Sequence, residues 1–173
     1  QRDLQHRLDA LAKVDLFSRL DVAELHTVAE RLRYAPFAAG EVITRQGAVA
    51  HWLYILTRGD VDIWDERPEG RTLLGNLSAG SFFGEMGLLT GAPRSATVQA
   101  RGDVECYLLD KESFHGVLHA RPELAELIAE VLSQRQARPV SDTQAAASQG
   151  PPSRQPELLS RIKQFFGLSH PSG

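Results

Sequence analysis

The residues best equipped for chemistry lie in one run, Phe82-Phe83-Gly84-Glu85-Met86-Gly87-Leu88-Leu89-Thr90-Gly91-Ala92-Pro93-Arg94-Ser95-Ala96-Thr97-Val98. Gly84 and Gly87 let the backbone approach a ligand closely or turn sharply. Glu85 to Leu89 can form one short helical turn whose first N–H groups face outward, a natural seat for an anion. Arg94 follows on a loop with the Ser95 hydroxyl beside it. A guanidinium next to such N–H groups suits a singly charged phosphodiester, which it can grip with two parallel charge-assisted bonds. Glu85 would repel a bare phosphate. It fits if it accepts a hydrogen bond from a sugar hydroxyl next to that phosphate, so the trio Glu85, Arg94 and Ser95 asks for one ligand carrying both groups. The same residues also read as a Gly-rich loop closed by a structural Arg94–Glu85 ion pair, and composition alone favours that plainer reading.

Several elements must position this run. Residues 1–36 read as helical: Leu4, Leu8 and Leu11 share one rhythm, and Val22, Leu25, Val28, Ala29 and Leu32 share another. Asp21 with Glu24 is a capping-box start. From about Arg33 to Leu109, short β-rich runs alternate with Gly-containing turns: Val42 to Arg45, Trp52 to Leu56, Val61 to Trp64, Arg71 to Leu74, Ala96 to Ala100 and Val104 to Leu109. Such spacing predicts a sandwich or barrel. No helix separates the strands, which argues against a parallel α/β sheet. Asp110 caps a helix through Leu118, and Arg121-Pro122 opens a longer one with the stripe Leu124, Leu127, Ile128, Val131 and Leu132. Arg138 to Pro156 is rich in Pro, Ser, Gln and Ala and reads as a flexible linker. Leu158, Leu159, Ile162, Phe165 and Phe166 then form an amphipathic segment of up to two turns. It is marginal alone and needs a surface to dock on: this domain, another subunit or a membrane.

The chain has 173 residues, 42% hydrophobic and 24% charged, enough for one domain with a real core plus tails. No run of about 18 apolar residues is present to span a membrane. The sequence begins with Gln and lacks a signal h-region, which fits a piece of a longer protein. One cysteine, Cys106, excludes a disulfide framework, fits a reducing compartment and reads as a buried small hydrophobe. The net charge of −3 does not favour nucleic-acid binding through bulk charge. His115 and His119, i and i+4 on a helix, have no third metal ligand nearby. His51 stands alone, whereas metal-binding cupin barrels need closely spaced strand histidines. No Gly-x-Gly-x-x-Gly, Walker A loop or nucleophile elbow appears, and no catalysis is expected.

The run from Phe82 to Val98 resembles the phosphate-binding cassette of the cyclic nucleotide-binding domain family nearly position by position: the Phe-Gly-Glu opening, the Leu-Leu pair and the Arg-Ser-Ala-Thr-Val ending. Gly40-Glu41-Val42-Ile43, Gln46-Gly47 and Tyr54-Ile55 with Gly59 look like the family's early strands, so the resemblance covers about Asp15 to Gln136. It implies an α+β fold: an eight-stranded, jelly-roll-like β-roll with N-terminal helices and two closing C-terminal helices. It divides the chain into a lead-in helix (1–14), the binding domain (15–137), the Pro-rich linker (138–156) and the short amphipathic segment (157–173). It implies that Arg94 binds the cyclic phosphate and Glu85 the ribose 2′-hydroxyl. Gly84, Met86 and Ser95 complete the cradle, and the last helix swings over the base as a lid. By spacing from Pro122, Arg135 falls where channel-type relatives place a base-stacking Arg; the plainer reading is a solvated Arg at a helix C-terminus. The implied ligand is cyclic AMP, with cyclic GMP admitted because the Ser95 hydroxyl can reach a guanine amino group. No cofactor or metal is implied.

The tail Ile162-Lys163-Gln164-Phe165-Phe166-Gly167-Leu168 and the run Arg45 to Ile55 look like bacterial channels that join a small-conductance mechanosensitive-type pore to such a domain. On that resemblance the partners are a cyclic nucleotide and an attached pore, with a homo-oligomer in the full-length protein, no nucleic acid, and a place on the cytoplasmic side of an inner membrane. A transcription regulator would carry a helix-turn-helix after the lid, for which the Pro-rich stretch and short tail leave no room. A kinase regulatory subunit usually carries a second such domain. A transporter, kinase or transcription regulator remains the alternative setting.

Overall fold

In a computed structural model, residues 2–136 and 154–168 are described. Three helical pieces lead in: α1 (Arg2–Ala12), a 3-10 turn (Asp15–Phe17) and α2 (Val22–Arg31). Eight strands follow: β1 (Arg33–Phe37), β2 (Val42–Thr44), β3 (Trp52–Arg58), β4 (Asp60–Arg67), β5 (Gly70–Ser78), β6 (Phe82–Phe83), β7 (Thr97–Ala100) and β8 (Val104–Asp110). The helix α3 (Glu85–Thr90) interrupts them between β6 and β7, and α4 (Lys111–Ala120), α5 (Leu124–Gln136) and α6 (Gln155–Phe166) close the chain.

The strands form two four-stranded antiparallel sheets, β1-β8-β3-β6 and β2-β7-β4-β5. The first is buried on both faces along β3, β6 and β8, while its edge strand β1 is largely exposed, and the period of two along the buried strands divides the core. Tyr54, Leu56, Phe83, Val104 and Cys106 point into the roll, where they meet Val61, Ile63 and Val98 of the second sheet. Their neighbours Leu53, Ile55, Phe82, Tyr107 and Leu109 point the other way, into a helical layer built from α1 to α6. The expected α+β architecture of a β-roll with flanking helices is therefore what this sequence forms.

Local chemistry sets the helix ends. The Asp21 capping box closes at both bonds, Glu24 N–H to Asp21 at 2.8 Å and Asp21 N–H to Glu24 at 2.9 Å. Asp110 accepts from Ser113 N–H at 2.9 Å and starts α4. The Arg7 guanidinium donates to the Ala29 carbonyl at 3.0 Å, placing a cation at the C-terminus of α2. Arg121 binds Glu24 with two bonds of 2.8 Å, tying α2 to the α4–α5 junction.

Four expectations change. Residues 33–36 are strand, not helix: β1 pairs with β8 at the edge of its sheet, where the missing N–H of Pro36 is tolerated. Phe82–Phe83 forms β6, too short for periodicity to reveal. Helix α5 starts at Leu124 rather than Pro122, because Arg121 to Glu123 make a tighter turn with Leu124 N–H to Arg121 O at 2.9 Å and Ala125 N–H to Pro122 O at 3.0 Å. The tail helix α6 runs 12 residues, longer than the two turns expected, and takes in Gln155 and Pro156 at its start. Of the rest of the expected linker, Arg154 is described and 138–153 lie outside the described residues. Helix α6 ends on a Schellman motif: Leu168 N–H reaches Lys163 O at 2.8 Å around left-handed Gly167 (φ 70).

Candidate functional site

Helix α3 is held between two left-handed glycines, Gly84 (φ 87) and Gly91 (φ 76), conformations that side-chain-bearing residues resist. The loop that follows carries Arg94. Its backbone is pinned on both sides to the turn after β2, through Arg94 N–H to Ala48 O and Gly47 N–H to Arg94 O, each 2.8 Å. The position of the cation is therefore set by main chain before its side chain makes any bond.

That side chain is only 6% exposed. Its Nε donates to Thr44 Oγ1 at 2.9 Å, Nη1 to the Gly84 carbonyl at 2.9 Å and Nη2 to the Trp52 carbonyl at 2.8 Å. Three elements (β2, the β6–α3 turn and the start of β3) thus converge on one guanidinium. A guanidinium has five N–H donors, so one on each Nη lies outside these three bonds. Burial pushes the Arg94 guanidinium below its ordinary range, and the charges of Tyr54 and Glu85 oppose that shift. Glu85 is itself fully buried at the head of α3. Burial also pushes the Tyr54 phenol up.

The glycines make this arrangement fit. A Cβ on Gly84 would collide with Arg94 Nη1, and one on Gly87 would collide with the Ala50 carbonyl and come within 2.7 Å of the same Nη1. Their lack of side chains admits the arginine itself. Close approach at Gly84 and Gly87 was expected; the neighbour already seated there is Arg94.

Of the six residues singled out by sequence, Gly84, Glu85, Met86, Arg94 and Ser95 fall around this turn. Glu85 and Arg94 are buried, Gly84 and Met86 half-buried, and Ser95 exposed. Arg135 lies in the last turn of α5. The buried residues of that helix, Leu124, Ala125, Ile128, Ala129 and Leu132, belong to the helical layer and not to the roll interior.

Sequence reasoning missed Thr44, which orients Arg94, and the role of Gln46. The Gln46 carboxamide accepts from Glu66 N–H at 2.7 Å and donates to Glu66 O at 3.1 Å, while Gln46 N–H donates to the buried Thr97 Oγ1 at 2.9 Å. One side chain so ties the end of β2 to β4. The Gln46-Gly47 pair is the visible signal, because Gly47 N–H continues the same anchor to Arg94. The rings of His115 and His119 stack at 3.9 Å, and His119 Nε2 lies 2.8 Å from the Phe166 carbonyl. Among the described residues no group of three or more His, Cys, Asp or Glu is placed to hold a metal ion, and no helix is long and apolar enough to cross a membrane.

The family model described as the cyclic nucleotide-binding domain matches residues 35–121. A cAMP-dependent protein kinase regulatory subunit of Blastocladiella emersonii is 37% identical over 110 residues, covering 62% of this chain and 27% of that protein. A cyclic nucleotide-gated potassium channel of Rhizobium etli is 34% identical over 139 residues, covering 80% of this chain and 38% of the channel. Among solved structures, the regulatory domain of Toxoplasma gondii PKA, co-crystallised with cAMP, superposes with a TM-score of 0.65 at 26% identity, covering 77% of this chain and 51% of that one. The chain spans well under half the length of these two sequence relatives.

Proposed function

We propose that this chain, which belongs to the cyclic nucleotide-binding domain family, senses a 3′,5′-cyclic nucleotide and passes the result to an attached output domain. The observation that carries the reading is Arg94: a guanidinium 6% exposed, held by three neutral oxygens, within electrostatic reach of the buried carboxylate of Glu85. A buried cation fixed in this way is costly unless an anion completes it. A cyclic phosphate supplies one negative charge, and the adjoining ribose supplies the 2′-hydroxyl that the Glu85 carboxylate accepts. Gly84 and Met86 contribute backbone, and Ser95 contributes backbone and hydroxyl. Arg135 stacks on the base when α5 closes over the roll as a lid. Cyclic AMP is the preferred ligand and cyclic GMP the second. The module binds and relays; it does not catalyse.

The output we propose is a channel. The tail and the run from Arg45 to Ile55 support it, and so does the Rhizobium etli channel, whose alignment reaches 80% of this chain against 62% for the Blastocladiella emersonii kinase subunit. The attached pore would place the chain on the cytoplasmic side of an inner membrane, within a homo-oligomer, with residues 1–14 leading out of the pore, 15–137 forming the sensor, 138–154 the linker and 155–173, which begins with α6, the tail. A kinase regulatory subunit is the second reading, favoured by the 37% identity to the kinase subunit.

Isothermal titration with cyclic AMP and cyclic GMP tests the ligand. About one site per chain with micromolar affinity, roughly 8 kcal/mol, is expected. No heat with either nucleotide at high protein concentration overturns the reading.

A further inference from the structure

The tail helix α6 seats itself on the two elements that must move if the site works as read above. Leu158, Ile162, Phe166 and Leu168 are buried in the same helical layer that holds Leu88 and Leu89 of α3 and the whole buried stripe of α5. Phe165 lies across the end of the cassette helix: a Cβ on Gly91 would stand 2.6 Å from its ring. The Phe165 ring meets His51 edge-on at 4.9 Å, and Lys111 Nζ stands 4.0 Å from its centre. Phe166 packs on Phe114, and its carbonyl lies 2.8 Å from His119 Nε2.

These contacts fix a sign. Among the described residues, the buried side chains of α5 all belong to the helical layer that α6 joins, and none belongs to the roll interior. For α5 to close over the mouth of the roll, that stripe must leave this packing. A ligand bound under a closed lid and a docked α6 therefore compete for the same helix. A 12-residue helix is marginal on its own, so α6 persists as a helix by docking here.

We propose that α6 is an autoinhibitory strap. Docked across α3 and α5, it holds the lid open, and its release raises the affinity for the nucleotide. The inference rests on the cyclic nucleotide reading of the cassette. Coupling of this kind is reciprocal: if α6 opposes the ligand, the ligand must loosen α6.

The test uses the full chain in three forms: wild type, Ile162→Asp, which puts a charge into the buried seat of α6, and Phe165→Ala, which removes the contact on Gly91 and leaves the buried seat intact. Cyclic AMP affinity is measured by titration, and amide exchange across 155–166 is followed in the wild type with and without saturating cyclic AMP. We expect Ile162→Asp to bind about five-fold tighter or more, and Phe165→Ala to shift in the same direction by less. We expect exchange in α6 of the wild type to speed up with ligand. If Ile162→Asp loses its cooperative melt, Phe165→Ala and the wild-type exchange decide the matter. Equal or weaker binding by the variants, with α6 exchange unchanged by ligand, overturns the strap alone. No binding by any form overturns the ligand reading and the strap with it.

Discussion

Arg94 Nη1 donates to the Gly84 carbonyl at 2.9 Å, so the cation of the cassette is held by the turn that launches the cassette helix. A shift of either is felt by the other. An anion that engages the guanidinium therefore acts on the Gly84 turn and on the start of α3 as well. The guanidinium and the head of α3 are thereby one mechanical unit.

Replacing Arg94 should cost both binding and folding. Arg94→Ala deletes bonds to Thr44, Gly84 and Trp52; the Gly84 carbonyl keeps the N–H groups of Gly87 and Leu88, whereas the Trp52 carbonyl loses its guanidinium donor. That costs about 1–3 kcal/mol of stability. Losing the phosphate pair costs on the order of 2–5 kcal/mol of binding. Arg94→Lys should recover only part of each, because a point charge cannot make the three divergent bonds of a planar fork. Melting curves beside titrations check this. A variant that melts early yet binds cyclic AMP as tightly as wild type would show that Arg94 is purely structural.

Gly87→Ala should disturb the same unit from the other side. The new methyl meets the Ala50 carbonyl, which is main chain and cannot swing away, and lies 2.7 Å from Arg94 Nη1. Overpacking of this kind costs about 1–3 kcal/mol. We expect a lower melting temperature together with weaker nucleotide binding. An unchanged melt and affinity would mean that α3 slides freely, against the rigid seat described here.

These glycines show where the sequence was legible. The cassette motif located Gly84, Glu85, Met86, Arg94 and Ser95 at one turn, since its spacing is local. The roll was legible where strands alternate, as in Val61 to Trp64, whose outer face meets solvent. The division of Phe82 toward the helices and Phe83 toward the roll was not, because two adjacent phenylalanines carry no period. Thr44 and Gln46 act through partners 50 and 20 residues away. Nothing local marks such a bond. The docking of α6 was equally hidden: its apolar face was plain, but Gly91, His51 and Lys111, which receive Phe165, are ordinary loop and helix residues until folding gathers them.

Acid should weaken the joint between α2 and the α4–α5 junction. Hydrogen bonds from Arg121 hold the Glu24 carboxyl below its ordinary value of 4.5. A folded-state pKa that is lowered means stability present above the unfolded value and lost as pH falls through the folded one. The melting temperature of wild type should therefore drop more steeply than that of Glu24→Gln as pH falls below about 5. Gln retains the acceptor that the capping box needs, so the helix start is preserved. Parallel melting curves of the two proteins across that range would contradict the pairing.

Cys106 should report on the integrity of the roll. Burial pushes its thiol up to about 12, and the side chain is fully enclosed by the inner faces of the two sheets. Thiolate is the reacting form, so a disulfide reagent at pH 8 should label the native protein only as fast as the roll opens. Denaturant should raise that rate in step with unfolding. Rapid stoichiometric labelling of the folded protein would show that the interior is open.

Ligand should protect the cassette more than the strands that frame it. The early strands are fixed by ladders and by the Gln46 anchor, whereas α3 depends on two glycine hinges and on Arg94. A bound phosphate adds bonds at the Gly84 turn, so exchange in 82–96 should slow strongly. Exchange in 42–56 should change little, because those amides are already held. The second half of α5, 129–136, should slow too if it closes on the base, even as α6 is loosened. That pairing is the informative result: a ligand that merely stiffened the whole domain would protect α5 and α6 alike. Uniform slowing across 42–56, 82–96 and both helices would point to general stabilisation and remove the lid from the signalling route.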